Sequence, residues 1–583
     1  VNQADRQLFR QLWPFVRPHR RLLLLSLLLL PVLTLAEAGQ PFLVRHILDG
    51  PIKLADGPGL VAWTTGFLGL LLATVGLRSS QTYLAQIAGE RIIFDLRVGL
   101  YQHLQKLTPR FYHHQPIGKL VTRLTSDIEA LSEMFSSGGL AILTDVAMIA
   151  GALVGMYVMH PPLALYTSLM LPVLLWLMGY FRRKSREAND HLRTLVAQLN
   201  AFLQENLSGM DVVRLTRRET RNLQDFEGVN RQVYKTGVNQ VFFDCTFTAL
   251  VEAWTNLALV LVLWLGALMI GHGDVSFGLL LAFFWFVQML FKPIEDVSEK
   301  YTMIQGGLAA IAKILPVFEE TPEVADPAQP VTPTVPIAGA VQFSGVGFAY
   351  RPDVPVLHDM TASVQPGQTV AIVGASGAGK TTLMKLLTRQ YDVSAGAILL
   401  DGIDIRRLPL ATLRRHIVVI QQDDFVFSRS ILENITLDPT QTAPTPQIEA
   451  IVRQVHAERF VQRLGYGAVL QERGRNLSAG ERQLLMFARA MAHNPPILVL
   501  DEATAAVDGD TERDVQAAMD TLMQGRTVFV IAHRLSTLQN ADQIWLVDGG
   551  RIAERGTHGE LLALGGRYAH FYQQQQQALN SRV

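Results

Sequence analysis

The stretch "TVAIVGASGAGKTTLMKLL", Thr369–Leu387, decides how the second half of this chain folds. A short β-favouring run passes into a glycine-rich segment, and a helical pattern comes directly after it. Within it, Gly374–Thr381 spells G-x-x-x-x-G-K-T, and the strand–loop–helix setting gives that spacing its meaning. Gly374, Gly377 and Gly379 let the backbone turn tightly, so that N–H groups from Gly374, Ala375, Ser376, Gly377, Ala378 and Gly379 face phosphate oxygens. Lys380 then reaches for the outer phosphates, and the Thr381 hydroxyl is placed to ligate Mg²⁺. Thr382 continues the helix N-terminus, whose partial positive charge favours an anion. Taken alone, the same letters also fit a plain glycine-rich turn.

They are not alone. The apolar run "ILVLDE", residues 497–502, ends in two carboxylates. Asp501 is positioned to hold Mg²⁺, and Glu502 to polarise an attacking water as general base. His533 closes another β run, "TVFVIAH", where it can contact the outermost phosphate and orient that water. By itself it would be a packed histidine. Around these motifs, "AVQFSGVGFAY", "IVVIQQ" and "QIWLVDGG" alternate with helical patterns, the signature of an α/β domain with a largely parallel sheet.

The first 300 residues differ in kind. Across all 583 residues only 17% are charged and the net formal charge is zero, which argues against nucleic acid as a partner. Apolar runs near residues 22–44, 60–84, 138–159, 162–181, 248–271 and 275–294 each suffice to cross a bilayer. The second, fourth and fifth are expected to continue as polar helices outside the lipid. The long connections carry Arg91, Arg97, Arg110, Arg123, "FRRKSRE" and "RLTRRETR", whereas the short ones have Lys53 as almost their only strong base. That bias places the long loops, both termini and the second half in the cytosol. "RPHRR", the leucine run and "AEA" at 36–38 imitate a cleavable signal, but the run is long and contains Pro31. The single cysteine, Cys245, excludes internal disulfides and fits a reducing compartment. A proline-rich stretch, "EETPEVADPAQPVTPTVP", marks a linker. The expected division is residues 1–320 in the membrane domain, 321–337 linking, and 338–583 in the nucleotide-binding domain.

Taken together, these residues resemble the ATP-binding cassette (ABC) family along the whole chain. "FAYRPDVPVL" looks like the family's adenine-stacking loop, which implies Tyr350 under the base. "VVIQQDDFVF" resembles the Q-loop, which implies Gln422 near Mg²⁺, and "ATAAVD" resembles the D-loop ending at Asp508. "LQERGRNLSAGERQ" resembles the exporter-type ERG segment running into the signature, where Ser478 and Gly480 would cover phosphates. "FYHHQPIGKLVTRLTSDIEAL" and "ENLSGMDVVRLTRRE" resemble the two intracellular loops, which implies coupling helices near 109–120 and 208–218. The implied fold is six membrane helices of the ABC exporter type, all α, followed by an α/β P-loop nucleotide-binding domain. The implied cofactors are ATP and Mg²⁺. The implied site is composite: each signature serves the nucleotide held by the other copy's phosphate loop, so a chain with one cassette is a half-transporter and must dimerise.

The signature departs from LSGGQ. It reads Leu477-Ser478-Ala479-Gly480-Glu481, and Glu481 brings a carboxylate toward the partner's triphosphate unless it points away or pairs with Arg482. This favours a heterodimer with a second, different half-transporter, with a homodimer as the alternative. The expected activity is ATP-driven export or flipping of drugs or lipids across the bacterial inner membrane by alternating access. A lipid flippase, an ATP-gated channel, an importer and a soluble cassette ATPase are the competing readings; the apolar spans oppose the last, and an intact Glu502 opposes the channel. No peptidase-like segment precedes the first span, which disfavours a leader-processing peptide exporter. Polar residues within the spans are Glu37, Arg78, Gln81, Asp145, Glu252, Asn256, Lys292 and Glu295, open to either interhelical pairing or cargo contact.

Overall fold

The apolar runs become long helices in the computed structural model, which describes residues 12–271, 275–333, 335–421, 425–501, 509–532 and 535–580. The chain forms two compact units, one of residues 1–105 and 115–320, the other of 106–114 and 321–583.

In the first unit, helices α1 (Arg20–Ile47), α2 (Gly57–Lys106), α5 (Leu140–Met159), α6 (Pro161–Ser208), α8 (Glu219–Gly271) and α9 (Phe277–Glu319) carry the membrane spans. Between α2 and α5 lie the short helices α3 (Pro109–His114) and α4 (Ile117–Thr122), and α7 (Met210–Leu215) sits between α6 and α8. The short helices fall where the coupling helices were expected. Among the described residues seven stretches are long and apolar enough to cross a membrane, but the last two, Phe277–Ile294 and Lys300–Glu319, belong to the single helix α9. The described spans thus amount to six helices. As expected, α2, α6 and α8 outrun the bilayer; α9 does so too, through Pro293 and Pro316, a reach that the charges after residue 292 conceal in the sequence.

The outward faces are apolar, as in Leu28 and Trp176, and this suits lipid on one side and helices on the other. Phe283, Phe286, Leu290 and Phe291 of α9 are fully buried among Ala152 and Met156 of α5 and Ala258 and Val262 of α8. Gly155 makes that approach possible: a Cβ there would lie 2.5 Å from the Phe286 ring. At the other end of α1, the Asp49 carboxylate accepts from Gly278 N–H (3.0 Å) and bonds the Ser276 hydroxyl, fastening the N-terminus of α9.

Polar groups inside the spans mostly satisfy one another. Glu37 pairs with Arg78, Gln40 donates to Thr74 (3.1 Å), Gln81 donates to Thr144 (3.1 Å), and Lys300 pairs with Asp145 (2.6 Å). These contacts join α1 to α2, α2 to α5, and α5 to α9. Glu252 and Asn256, one turn apart on α8, and Lys292 on α9 are instead exposed, with no partner among the described residues. The Glu295 side chain lies outside the described residues.

The second unit holds two sheets. One has the order β2 (Val354–Val364), β1 (Val341–Arg351), β4 (Ala395–Leu400), β5 (Ile403–Asp404) and is antiparallel. The other runs β10 (Arg551–Gly556), β9 (Gln543–Asp548), β3 (Thr369–Val373), β8 (Thr527–Ile531), β7 (Ile497–Asp501), β6 (Ile417–Ile420). Its strands are parallel except β10. The buried Trp545 ring makes edge contacts with Phe343 (5.7 Å) and Phe529 (6.0 Å), so that one aromatic cluster ties the two sheets. The proline-rich segment is neither helix nor strand, but it does not hang free. Arg389 donates to the Ala325 carbonyl (3.0 Å), Asp326 accepts from Leu410 N–H (2.7 Å), and Val331 N–H donates to the Arg407 carbonyl (2.9 Å). Arg110, from α3, pairs with Glu323 at 2.6 Å, in keeping with the place of residues 106–114 in this unit.

Candidate active site

Strand β3 is buried between β9 and β8, and its C-terminal end opens into the loop of Gly374–Gly379. Helix α10 (Lys380–Leu387) comes next, with Gly379 as its N-cap at φ 104°. A side chain would be strained at that φ, and a Cβ would also lie 2.6 Å from Leu357 Cδ2. At Gly374 a Cβ would collide with the Val547 carbonyl oxygen. The glycines are therefore dictated by sterics at both ends of the loop. The loop sits at the carboxyl edge of a parallel sheet, where open α/β folds bind ligands.

A cavity of about 550 Å³ lies over it, lined by Gly374, Ser376, Gly377, Gly379, Lys380, Thr381 and Thr382 from the loop and helix, and by Tyr350, Val356, Asp501 and Ile531. Lys380 Nζ donates to the carbonyls of Gly374 (2.8 Å) and Ala375 (2.9 Å). Burial pushes its ammonium below the ordinary lysine value, and the Asp501 charge opposes that shift. Asp501 ends β7 opposite Ile531. A second cavity of about 240 Å³ is lined by Thr381 and Asp501 together with Gln421 and Lys385, so hydroxyl and carboxylate face shared space. Tyr350 stands in edge contact with Phe348 (4.9 Å) and Tyr391 (5.2 Å), and its hydroxyl hydrogen-bonds Thr382 Oγ1 (3.2 Å). The cavity thus has an aromatic wall, a glycine cradle at a helix N-terminus, a lysine, and a hydroxyl–carboxylate pair.

These features separate the chain from a generic α/β protein, and comparison with known proteins makes the match explicit. The family description "ABC transporter transmembrane region" matches residues 23–294, and "ABC transporter" matches residues 357–505. The ATP-dependent lipid A-core flippase of Thiobacillus denitrificans is 32% identical, with 98% of this chain and 98% of that protein covered. The chain belongs to the ABC transporter family. YheH of Bacillus subtilis, named a probable multidrug resistance ABC transporter ATP-binding/permease protein, is 35% identical over 89% of this chain and 77% of its own length. The solved structure of a bacterial Atm1-family ABC exporter with ATP bound superposes with a TM-score of 0.76, at 27% identity, covering 95% of this chain and 98% of that one. This ABC exporter chain is a multi-span membrane protein and an ATP-hydrolysing translocase using ATP and Mg²⁺.

The residues present suit that nucleotide: the cradle tolerates no Cβ at Gly374 or Gly379 and ends on a helix N-terminus beside a lysine. Thr381 and Asp501 offer the oxygen donors that Mg²⁺ prefers. Gln422, Glu502, Asp508 and His533 lie outside the described residues.

Ser478 and Gly480 begin α12 (Ala479–His493), for which Ser478 is the N-cap. Ser478 is exposed, and no described residue lining the 550 Å³ cavity comes from this turn. Of the alternatives open for Glu481, pairing with Arg482 is not the one adopted, since that guanidinium donates to the Leu477 carbonyl (2.9 Å). The partner of Glu481 is Arg463 at 2.7 Å, from the end of α11 (Glu458–Leu464). Sequence reading missed Arg463, which stands 18 residues away on another helix. It also missed Tyr391 and Lys385, the latter's ammonium lying 6.0 Å from the Tyr350 ring centroid.

Proposed function

We propose that two copies of this chain export, or flip between leaflets, hydrophobic or amphipathic compounds such as drugs or lipids across a bacterial inner membrane, with cassettes and both termini in the cytosol. In this reading residues 1–320 form the membrane domain with its long loops, 321–337 the linker and 338–583 the nucleotide-binding domain. The observation that carries the composite site is the exposed Ser478 turn: it stands apart from the cavity that its own cassette builds around Lys380. A second cassette stacked head to tail would bring that turn over the cradle. Names among the relatives, a lipid A-core flippase and a multidrug resistance protein, support the cargo class.

ATP would supply the driving energy, and Mg²⁺, when bound, would supply positive charge against the developing negative charge on its phosphates. In this reading the loop N–H groups of Gly374–Gly379 hold the phosphates, Lys380 leaves its carbonyls to meet them, and Tyr350 stacks on the base. Thr381, Asp501 and Gln422 would hold the metal. Glu502 takes a proton from the attacking water, His533 orients that water, and Asp508 lies at the dimer seam. Closure of the cassettes turns the cavity between the membrane helices outward, and hydrolysis resets it.

The sequence favours a heterodimer because Ala479 and Glu481 depart from the usual signature while this chain's own phosphate loop is intact. The Arg463 pair compensates the Glu481 charge, and this supports two copies as the simpler assembly. The test is purification of a tagged chain in lipid. Mg²⁺-dependent ATPase from particles containing this polypeptide alone, stimulated by amphipathic compounds or lipids that accumulate on the far side of vesicles, is expected. A second, stoichiometric half-transporter would refute the homodimer, and ATP turnover indifferent to every amphiphile tried would refute the cargo class.

A further inference from the structure

Both oxygens of the Glu481 carboxylate are engaged. One accepts from Ser478 N–H (2.8 Å), while Glu481 N–H donates to Ser478 Oγ (3.2 Å), a reciprocal cap on α12. The other accepts from Arg463 Nη2 (2.7 Å). The Glu481 side chain is only 18% exposed, and Arg463 is 57% exposed at the end of α11. Because Ser478 Oγ accepts from the backbone, its own proton is not used in that bond. A helix N-terminus attracts anions, but a bare carboxylate in its first turn cancels that attraction. Arg463 supplies the compensating charge, since Arg482 is turned to a carbonyl.

We infer that Arg463 is a positioning residue for ATP hydrolysis: it neutralises Glu481 and holds it against the cap, so that a signature turn carrying glutamate in place of glutamine still accepts a triphosphate. This rests on the proposal that the Ser478 turn covers another chain's phosphate loop. The role belongs to the pair. Arginine at 463 is needed because residue 481 is charged, and it becomes dispensable once that charge is removed.

The experiment is a double-mutant cycle on the full-length complex in lipid nanodiscs, measuring ATPase against ATP concentration for Arg463→Ala, Glu481→Gln and the double variant, with Ser478→Ala alongside. Arg463→Ala is expected to raise the KM for ATP about ten-fold with kcat little changed, the size of a charge placed wrongly at a partly buried helix end. Glu481→Gln in that background should bring KM back to within about two-fold of the unaltered protein, because the offending charge is gone. Arg463→Lys, which keeps the charge, should hold KM near the starting value and guards against misfolding of the alanine variant. A double variant as impaired as Arg463→Ala, or an Arg463→Ala variant with unaltered KM while Ser478→Ala is impaired, overturns the inference. If Ser478→Ala is itself without effect, the composite-site reading fails first.

Discussion

The two halves of this chain use polar residues in opposite ways. In the cassette, Lys380, Thr381, Asp501 and Tyr350 line one cavity, and the loop that leads into Lys380 and Thr381 is shaped by glycines that a Cβ would not fit. In the membrane helices, Glu37, Arg78, Gln81, Asp145 and Lys300 spend themselves on each other or on neighbouring hydroxyls. The contrast comes from solvent. Water fills whatever a cassette side chain leaves unpaired, so groups can be kept for a ligand; in lipid an unpaired charge is costly and pairs within the bundle. Glu252, Asn256 and Lys292 break that rule, being exposed without a partner among the described residues, and so mark where the membrane half behaves like the cassette.

The sharpest way to break this contrast is to remove the cassette's lysine. Lys380→Ala should cut phosphate release by about 100-fold or more, because the cradle loses the cation that meets the outer phosphates, while leaving the melting temperature of the membrane half unchanged. A modest loss would mean that the cavity is not the catalytic one. The second effect is on stability. Asp145→Ala should take from the half-buried Lys300 ammonium the carboxylate that stands 2.6 Å away and cost about 3 kcal/mol in unfolding, whereas replacing both by leucine should cost less. Denaturation in detergent measures it, and equal losses for the single and double changes would deny the pairing. Smaller still, Glu252→Gln should alter stability by less than about 0.5 kcal/mol. It should nevertheless raise the concentration of a cationic amphiphile needed for half-maximal ATPase stimulation about three-fold, the size of one weakly screened charge contact. An unchanged stimulation curve would place Glu252 against lipid or another helix. Ala479→Gly, at the first turn of α12, should shift ATPase by less than about two-fold, since a methyl is all that is lost there.

What could be read from the letters was local. Strand, glycine loop and helix at 369–387 are contiguous, and the loop's chemistry comes from residues that are neighbours in sequence. Asp501 was legible because an apolar run ends on it. The membrane spans were legible from composition, but the full reach of α9 was not, since Pro293 and the charges after it imitate a helix end. Pairings between helices left no local trace. Arg463 and Glu481 lie 18 residues apart on separate helices, Arg78 and Glu37 lie 41 apart, and nothing in either sequence neighbourhood names the other. The docking of the proline-rich segment through Arg389, Leu410 and Arg407 was likewise hidden, because composition reports stiffness and not contact. Glu502 and His533 rest on the runs that end at them, and Gln422 and Asp508 on motif resemblance.

The central claim is that the Ser478 turn of one copy lies against the Ser376 loop of another. The chain's one cysteine, Cys245, is exposed and can be changed to serine, after which Ser376→Cys and Ser478→Cys are introduced together. Oxidation with ATP and Mg²⁺ present should yield a covalent dimer at twice the chain mass, formed far more slowly without nucleotide. A disulfide confined to single chains, or none at all in nucleotide-loaded particles, would contradict the claim.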